Sequence, residues 1–138
     1  MIVSADNAHA VHPNQPSLSD PVNRVLMNSG VVIKHSARQS YTTDAMSAAL
    51  FIECCKKAGV PYQSYTNRSD LPGGGTLGSI SEGQVSIHSV DIGLAQLAMH
   101  SCFELAGSKD THYAILAMKE FYSHHLSEIA PGIIAMTK

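Results

Sequence analysis

The chain reads as one α/β domain: a three-layer helix/sheet/helix arrangement around a partly parallel sheet. Three observations predict it. Short apolar, β-branched runs alternate with longer segments of helical period, the pattern of strands separated by helices. Each run is bounded by glycine, proline or Asn/Ser/Asp clusters. The length, 138 residues with 44% hydrophobic, suits a single core.

Met1 to Ala5 is the first expected strand, ending at Asp6. Residues 12 to 24 hold Pro13, Pro16 and Pro21 among polar residues and read as a stiff loop. Gly30 opens the apolar run Val31-Val32-Ile33-Lys34, a second strand. The next segment predicts a helix. Thr43 or Asp44 caps it, and Met46, Leu50 and Cys54 form a stripe with Ala49 beside it. Lys56 and Lys57 suit its C-terminal dipole, and Gly59 and Pro61 end it. Pro61 to Thr66 is a third strand, and Asp70 to Thr76 an irregular turn.

Val85 to Ile92 reads as a strand from its β-branched content. Ser101-Cys102-Phe103-Glu104 has the form of a capping box, which sets His100 just before a helix. Asp110 is the expected cap of the last helix, with Tyr113, Leu116, Ala117, Phe121 and Leu126 on its buried face. Pro131-Gly132 is expected to end regular structure, with a fraying tail beyond it. No repeat or low-complexity tract interrupts the chain.

Composition narrows the function. The net charge is −2 and the nine Lys and Arg residues are scattered, so no nucleic-acid footprint is present. No apolar run approaches the roughly 20 residues that span a bilayer. Met1-Ile2-Val3-Ser4-Ala5-Asp6 lacks the basic region of a secretory signal. Cys54, Cys55 and Cys102 show no Cys-x-x-Cys spacing and fit idle thiols in a reducing cytoplasm, the expected location. Asn67-Arg68-Ser69 matches a glycosylation sequon, and without a secretion signal it is read as chance. Gly73 to Gly78 also fits G-x-G-x-x-G, but no strong helical pattern follows, and Asp91 lies too close for a ribose-binding acid.

The chemistry-bearing residues are a carboxylate, Asp6, and an imidazole, His100, two ligand types of hydrolytic zinc sites. Alone, each has a plain alternative: a turn aspartate after a strand, and a histidine packed beside a helix cap. Several segments together change the reading. Ser4-Ala5-Asp6-x-Ala8-His9-Ala10-x-His12-Pro13-Asn14, Val32-Ile33-Lys34, Arg38-Gln39-Ser40-Tyr41, Thr43-Asp44-Ala45, Asn67-Arg68-Ser69-Asp70-x-Pro72-Gly73-Gly74, Val90-Asp91-Ile92-Gly93 and Gln96-Leu97-Ala98-Met99-His100-Ser101 occur in order. This series resembles the aspartyl aminopeptidase family of dinuclear zinc exopeptidases, from about residue 4 to about residue 123. Two positions depart from that pattern. Phe103 stands where the family usually has an arginine, and Ser81-Glu82-Gly83-Gln84 lacks its Ser-Arg.

The resemblance implies that Asp6 and His100 each ligate one of two zinc ions, and that His9, Lys34 and Tyr41 contact the peptide substrate. His9 has the alternative of a hydrogen-bonding support beside the metals. The resemblance also places the other ligands and the general-base glutamate outside this chain. Residues 1–138 then correspond to a C-terminal portion, an incomplete half, of a zinc exopeptidase catalytic domain. The expected activity of the complete enzyme is removal of N-terminal, preferably acidic, residues, while the isolated chain is expected to be inactive. A homo-oligomer, or association with a missing N-terminal half, is the expected assembly. A non-enzymatic binding or assembly module and a complementing subunit are the competing readings. His12, His35, His88 and His112 take no role, and His124-His125 reads as a solvated helix end.

Overall fold

The computed structural model describes residues 1–138. Its centre is a four-stranded sheet of β1 (Ile2–Ala5), β3 (Val31–His35), β4 (Tyr62–Thr66) and β5 (Ser89–Gly93), in the order β1-β5-β3-β4. β1 runs parallel to β5 and β3 parallel to β4, while β3 and β5 are antiparallel, so the sheet is partly parallel as expected. β2 (Ala8–His9), β6 (Ala95–Leu97) and β7 (Leu105–Ala106) form a second, small sheet. No helix is long and apolar enough to cross a membrane.

Two layers cover the sheet. On one face α1 (Ala45–Ala58) packs against α3 (Asp110–Tyr122) over Val31, Ile33, Val90 and Ile92, with Phe51 and Ala117 fully buried between them. α1 follows its local signals closely. Asp44 accepts from the Ser47 amide at 2.6 Å and the Ser47 hydroxyl accepts from the Asp44 amide at 3.0 Å, a reciprocal cap. Gly59 ends the helix at φ 66°. Its buried stripe is centred on Phe51 rather than Met46, and Ala49 is exposed. On the opposite face α2 (Leu77–Gln84) lies over β1 and β5. Beside it a second cluster of Ala8, Val25, Val32, Tyr41, Tyr65 and Ala95 closes under the loops.

Several local expectations are corrected. The strand expected from Val85 begins at Ser89, and α2 precedes it although Gly78, Ser79, Ser81 and Gly83 are poor helix formers. Tertiary packing on β1 and β5 sustains that helix. Asp110 is the first helical residue and caps nothing in α3. Its fully buried carboxylate instead accepts from the Asn28 amide at 2.7 Å and the Gly30 amide at 3.0 Å, tying α3 to the entry of β3. Pro131-Gly132 is the turn of a hairpin, β8 (His125–Ala130) with β9 (Ile133–Thr137), so Leu126 lies outside the helix and the tail is ordered. The His124 ring is not solvated. Its side chain is 2% exposed and Nδ1 lies 2.8 Å from the Glu120 carbonyl oxygen.

Asp110→Ala removes the acceptor for two backbone amides in a buried setting. Urea unfolding is expected to show a loss of about 2–3 kcal/mol, with a smaller loss for Asp110→Asn, which keeps one acceptor oxygen.

Candidate functional site

The site grows from a bend. β1 and β2 form one interrupted path that pairs in parallel with β5 and then β6, through Asp6 N–H to the Ile92 carbonyl (3.0 Å) and Ala8 N–H to the Leu94 carbonyl (2.9 Å). Gly93 permits the bend, since a Cβ there would collide with the Asp6 carbonyl oxygen. The bend leaves the Asp6 side chain half exposed while the Asn7 carbonyl turns inward.

Lys34 fills the space beneath them. It is 2% exposed, and its Nζ donates to the Asn7 carbonyl at 3.1 Å and lies 3.8 Å from the Asp6 carboxylate. The ammonium also sits 5.2 Å from the centroid of the Tyr41 ring. The β3–β5 register pairs Ile33 with Ile92, and one step further sets Lys34 across from Asp91. Asp91 is fully buried. One of its oxygens accepts from the Thr42 amide (2.7 Å) and hydroxyl (3.0 Å), and the other has no partner. Burial lowers the Lys34 pKa from its ordinary value, while Asp6 and then Asp91 oppose that shift.

Of the five residues singled out from the sequence, Asp6 and Tyr41 flank Lys34 as described, and His9, within electrostatic reach of Lys34 and of His100, links that group to His100. Desolvation first, then His100 and Lys34, lowers the His9 pKa, so its imidazole is neutral at neutral pH. His9 sits opposite Gln96 in the β2–β6 pair and borders a hollow of about 240 Å³ that also touches His12, Tyr65, Asn67 and Arg68.

His100 is not at a helix start. No helix follows it, because Leu105 and Ala106 return to pair with Leu97 and Gln96 and leave 98–104 as a tight loop. Glu104 accepts the His100 amide at 2.6 Å and Ser101 accepts the Phe103 amide at 3.1 Å. Ala98 and His100 both take positive φ, 53° and 70°. The loop is largely exposed, and the bonds from Glu104 and Ser101 are internal to it.

Asp91 and Asn67 lie within the family-like segments, yet the sequence alone assigns them no role. Asp91 was legible as a lone carboxylate inside the apolar run Val90-Asp91-Ile92. Asn67 was obscured by its sequon. The glycine segment leads directly into α2, contrary to the expectation that no helix follows, and Gly78 lies against the Asp91 carboxylate.

The chain is matched over residues 1–122 by the family model described as aminopeptidase I zinc metalloprotease (M18). It belongs to the M18 family of aminopeptidases. The probable M18 family aminopeptidase 2 of Clostridium novyi is 51% identical over 122 residues, 88% of this chain and 28% of the relative. The corresponding Mycobacterium bovis protein is 44% identical over 128 residues, 93% of this chain and 30% of the relative. Among solved structures, a cryo-EM structure of an Ape4 and Nbr1 complex superposes at TM-score 0.85 with 41% identity, covering 87% of this chain and 23% of that one. The Saccharomyces cerevisiae mApe1 dodecamer superposes at TM-score 0.75 with 28% identity, covering 89% and 26%. This chain thus spans less than a third of the length of these relatives.

The family is one of zinc metalloproteases, yet no three His, Cys, Asp or Glu side chains of this chain come together to hold a metal ion. A catalytic zinc takes about three protein ligands. This chain's residues do not supply a complete set, and what its own side chains offer is position and charge.

His9 and His35 both carry depressed pKa values, with burial the leading cause. A folded-state imidazole below its unfolded value leaves stability intact above the unfolded pKa and erodes it as pH falls through that range. Urea midpoints are expected to fall between pH 7.5 and pH 5.5, and to fall less in His35→Gln. An equal fall in both proteins contradicts the assignment.

Proposed function

We propose that this chain is a portion of a zinc aminopeptidase catalytic unit that lends one ligand to each of two metal ions and lines the substrate's N-terminal residue. In this reading Asp6 ligates one zinc and His100 the other, while Lys34, Tyr41 and His9 face the peptide. The supporting observation is the buried Lys34 ammonium beside an outward-turned Asp6 carboxylate. Bound zinc supplies carbonyl polarisation and an activated water.

The chain's own groups supply position and charge. Asp6 has one oxygen on the Asn7 amide at 2.7 Å and is exposed on the other side, so it is oriented yet accessible. Once Asp6 is engaged by a metal, the Lys34 charge is left with the Asn7 carbonyl and the more distant Asp91. A fixed, desolvated ammonium with an incomplete set of anions favours an acidic substrate side chain. The Tyr41 hydroxyl donates to an oxygen that gains charge during attack. The neutral His9 imidazole hydrogen-bonds the peptide without adding charge.

The remaining ligands and the general-base glutamate belong to polypeptide that this chain does not contain. β1 is the outermost strand on its side of the sheet, and exposed Leu77 and Ile80 belong to α2, packed over it. An open, apolar-flanked edge invites strand addition, which suits docking of the complementary portion. A higher homo-oligomer is proposed for the assembled enzyme, since a dodecamer is the stated form of one structural relative. Reducing surroundings such as the cytoplasm suit its three free cysteines.

A chimera joining this chain to the part of the Clostridium novyi relative that it does not span tests the reading. The isolated chain is expected to bind no stoichiometric zinc and release no residue from an Asp-initiated peptide. The chimera is expected to do both. Lys34→Ala in the chimera is expected to lower kcat/KM for Asp-initiated peptides roughly 100-fold, or about 2–3 kcal/mol, and to spare Leu-initiated ones. Turnover by the chain alone, or equal losses on both peptides, contradicts the proposal.

A further inference from the structure

We infer that Asn67 is a positioning residue that occupies the oxygen of Tyr41 and leaves the Tyr41 proton free for a bound ligand; this rests on the reading that Tyr41 faces substrate. Asn67 follows β4 directly, and the parallel register sets its neighbour Tyr65 beside Lys34. The Asn67 amide bridges two buried phenols. Tyr65 donates to Asn67 Oδ1 at 2.6 Å, and Asn67 Nδ2 donates to the Tyr41 oxygen at 3.1 Å. Tyr41 is 6% exposed and Tyr65 8%.

The orientation of the amide follows from the distances. A separation of 2.6 Å suits O–H···O, and 3.1 Å suits N–H···O. Turning the amide over would invert both. Burial, with the adjacent Tyr41 phenol, pushes the Tyr65 pKa well above the ordinary phenol range, so Tyr65 keeps the proton it donates. Gly73 presses its backbone against the amide, since a Cβ at that position would collide with Asn67 Nδ2. Asn67 is therefore clamped on three sides by Tyr65, Tyr41 and the glycine loop.

The side-chain hydrogen bond that Tyr41 makes by geometry is the one it accepts from Asn67, and the neighbouring Tyr65 hydroxyl already donates to the Asn67 oxygen. A hydroxyl with its lone pair engaged and its proton uncommitted is prepared to donate. An aspartate at position 67 reverses this polarity, because a carboxylate can only accept. It would draw the Tyr41 proton inward.

The test uses the full chain labelled with ¹³Cζ-tyrosine. The Tyr41 resonance, assigned through Tyr41→Phe, is expected to shift in Asn67→Asp and in Tyr65→Phe, which frees the amide while keeping the ring that packs against Tyr41. Gly73→Ala is expected to move the same resonance by displacing the amide. Circular dichroism on each variant reports the fold. An unmoved Tyr41 resonance in folded Asn67→Asp and Tyr65→Phe overturns the positioning role. In the chimera, Asn67→Asp and Tyr41→Phe are each expected to lower kcat about 100-fold with KM within twofold, and the double variant to lose no more than either alone. Additive losses overturn the inference. A shifted resonance alongside unchanged Tyr41→Phe turnover keeps the clamp, overturns its link to a ligand, and counts against the substrate role of Tyr41 rather than the hydrogen bonds.

Discussion

A positive charge removed from water organises one face of this sheet. Burying an ammonium is costly unless it is paired and hydrogen-bonded. The Lys34 group meets that demand with the Asn7 carbonyl at 3.1 Å, the Asp6 carboxylate at 3.8 Å and the Tyr41 ring at 5.2 Å. Each partner depends on a separate backbone feature. The Asn7 carbonyl and Asp6 are available because the strand path bends against Gly93. Tyr41 is held by the loop after β3, and Asp91 lies across the antiparallel register. A change in any of these would leave a charge uncompensated within the fold.

The two faces of the sheet divide the labour. Under α1 and α3 the packing is dry and apolar, with Phe51, Val31, Ile33 and Val90 almost wholly removed from solvent. The other face is built from small residues, Ala8, Ala10 and Ala95, together with two tyrosines. Small side chains leave room for Lys34, Asp91 and the Asn67 bridge to sit beside the backbone. Polar atoms without partners, on Asp91 and Gln96, also occur in buried strands, where an unmet hydrogen bond is costly.

What could be read in advance follows from how local each signal is. Helix α1 was legible from its start at Asp44 to its end at Gly59, because caps and terminators act within a few residues. The strands at Ile2 and Val31 were legible from short apolar runs, the second opened by Gly30, and the one at Tyr62 from the segment that Pro61 begins. α2 was not, since its glycines and serines carry no helical preference and its stability comes from β1 and β5. Ser101-x-x-Glu104 misled because the residues after it pair back to β6, and a local cap cannot compete with that ladder. The hairpin at the end was missed for a related reason, as Pro131-Gly132 marks a turn equally well as a terminus. Composition and spacing alone did not gather Asp6, His9, Lys34, Tyr41 and His100. The family resemblance proposed them together, and in the fold Asp6 and Tyr41 flank Lys34 while His9 links that group to His100. Asp91 stands out locally as a carboxylate within an apolar run, but its partner Thr42 and the Tyr41 partner of Asn67 are distant in sequence, so their roles are not announced by local pattern.

The side-chain nitrogen of Lys34 offers the most direct test of this arrangement. In ¹⁵N-detected NMR of the full chain, with the signal assigned by its loss in Lys34→Met, the ammonium protons should exchange slowly with water and show contacts to the Tyr41 ring. A Lys34 resonance that exchanges as fast as the exposed lysines, with no contact to Tyr41, would mean that the charge is solvated and that this face is organised in another way.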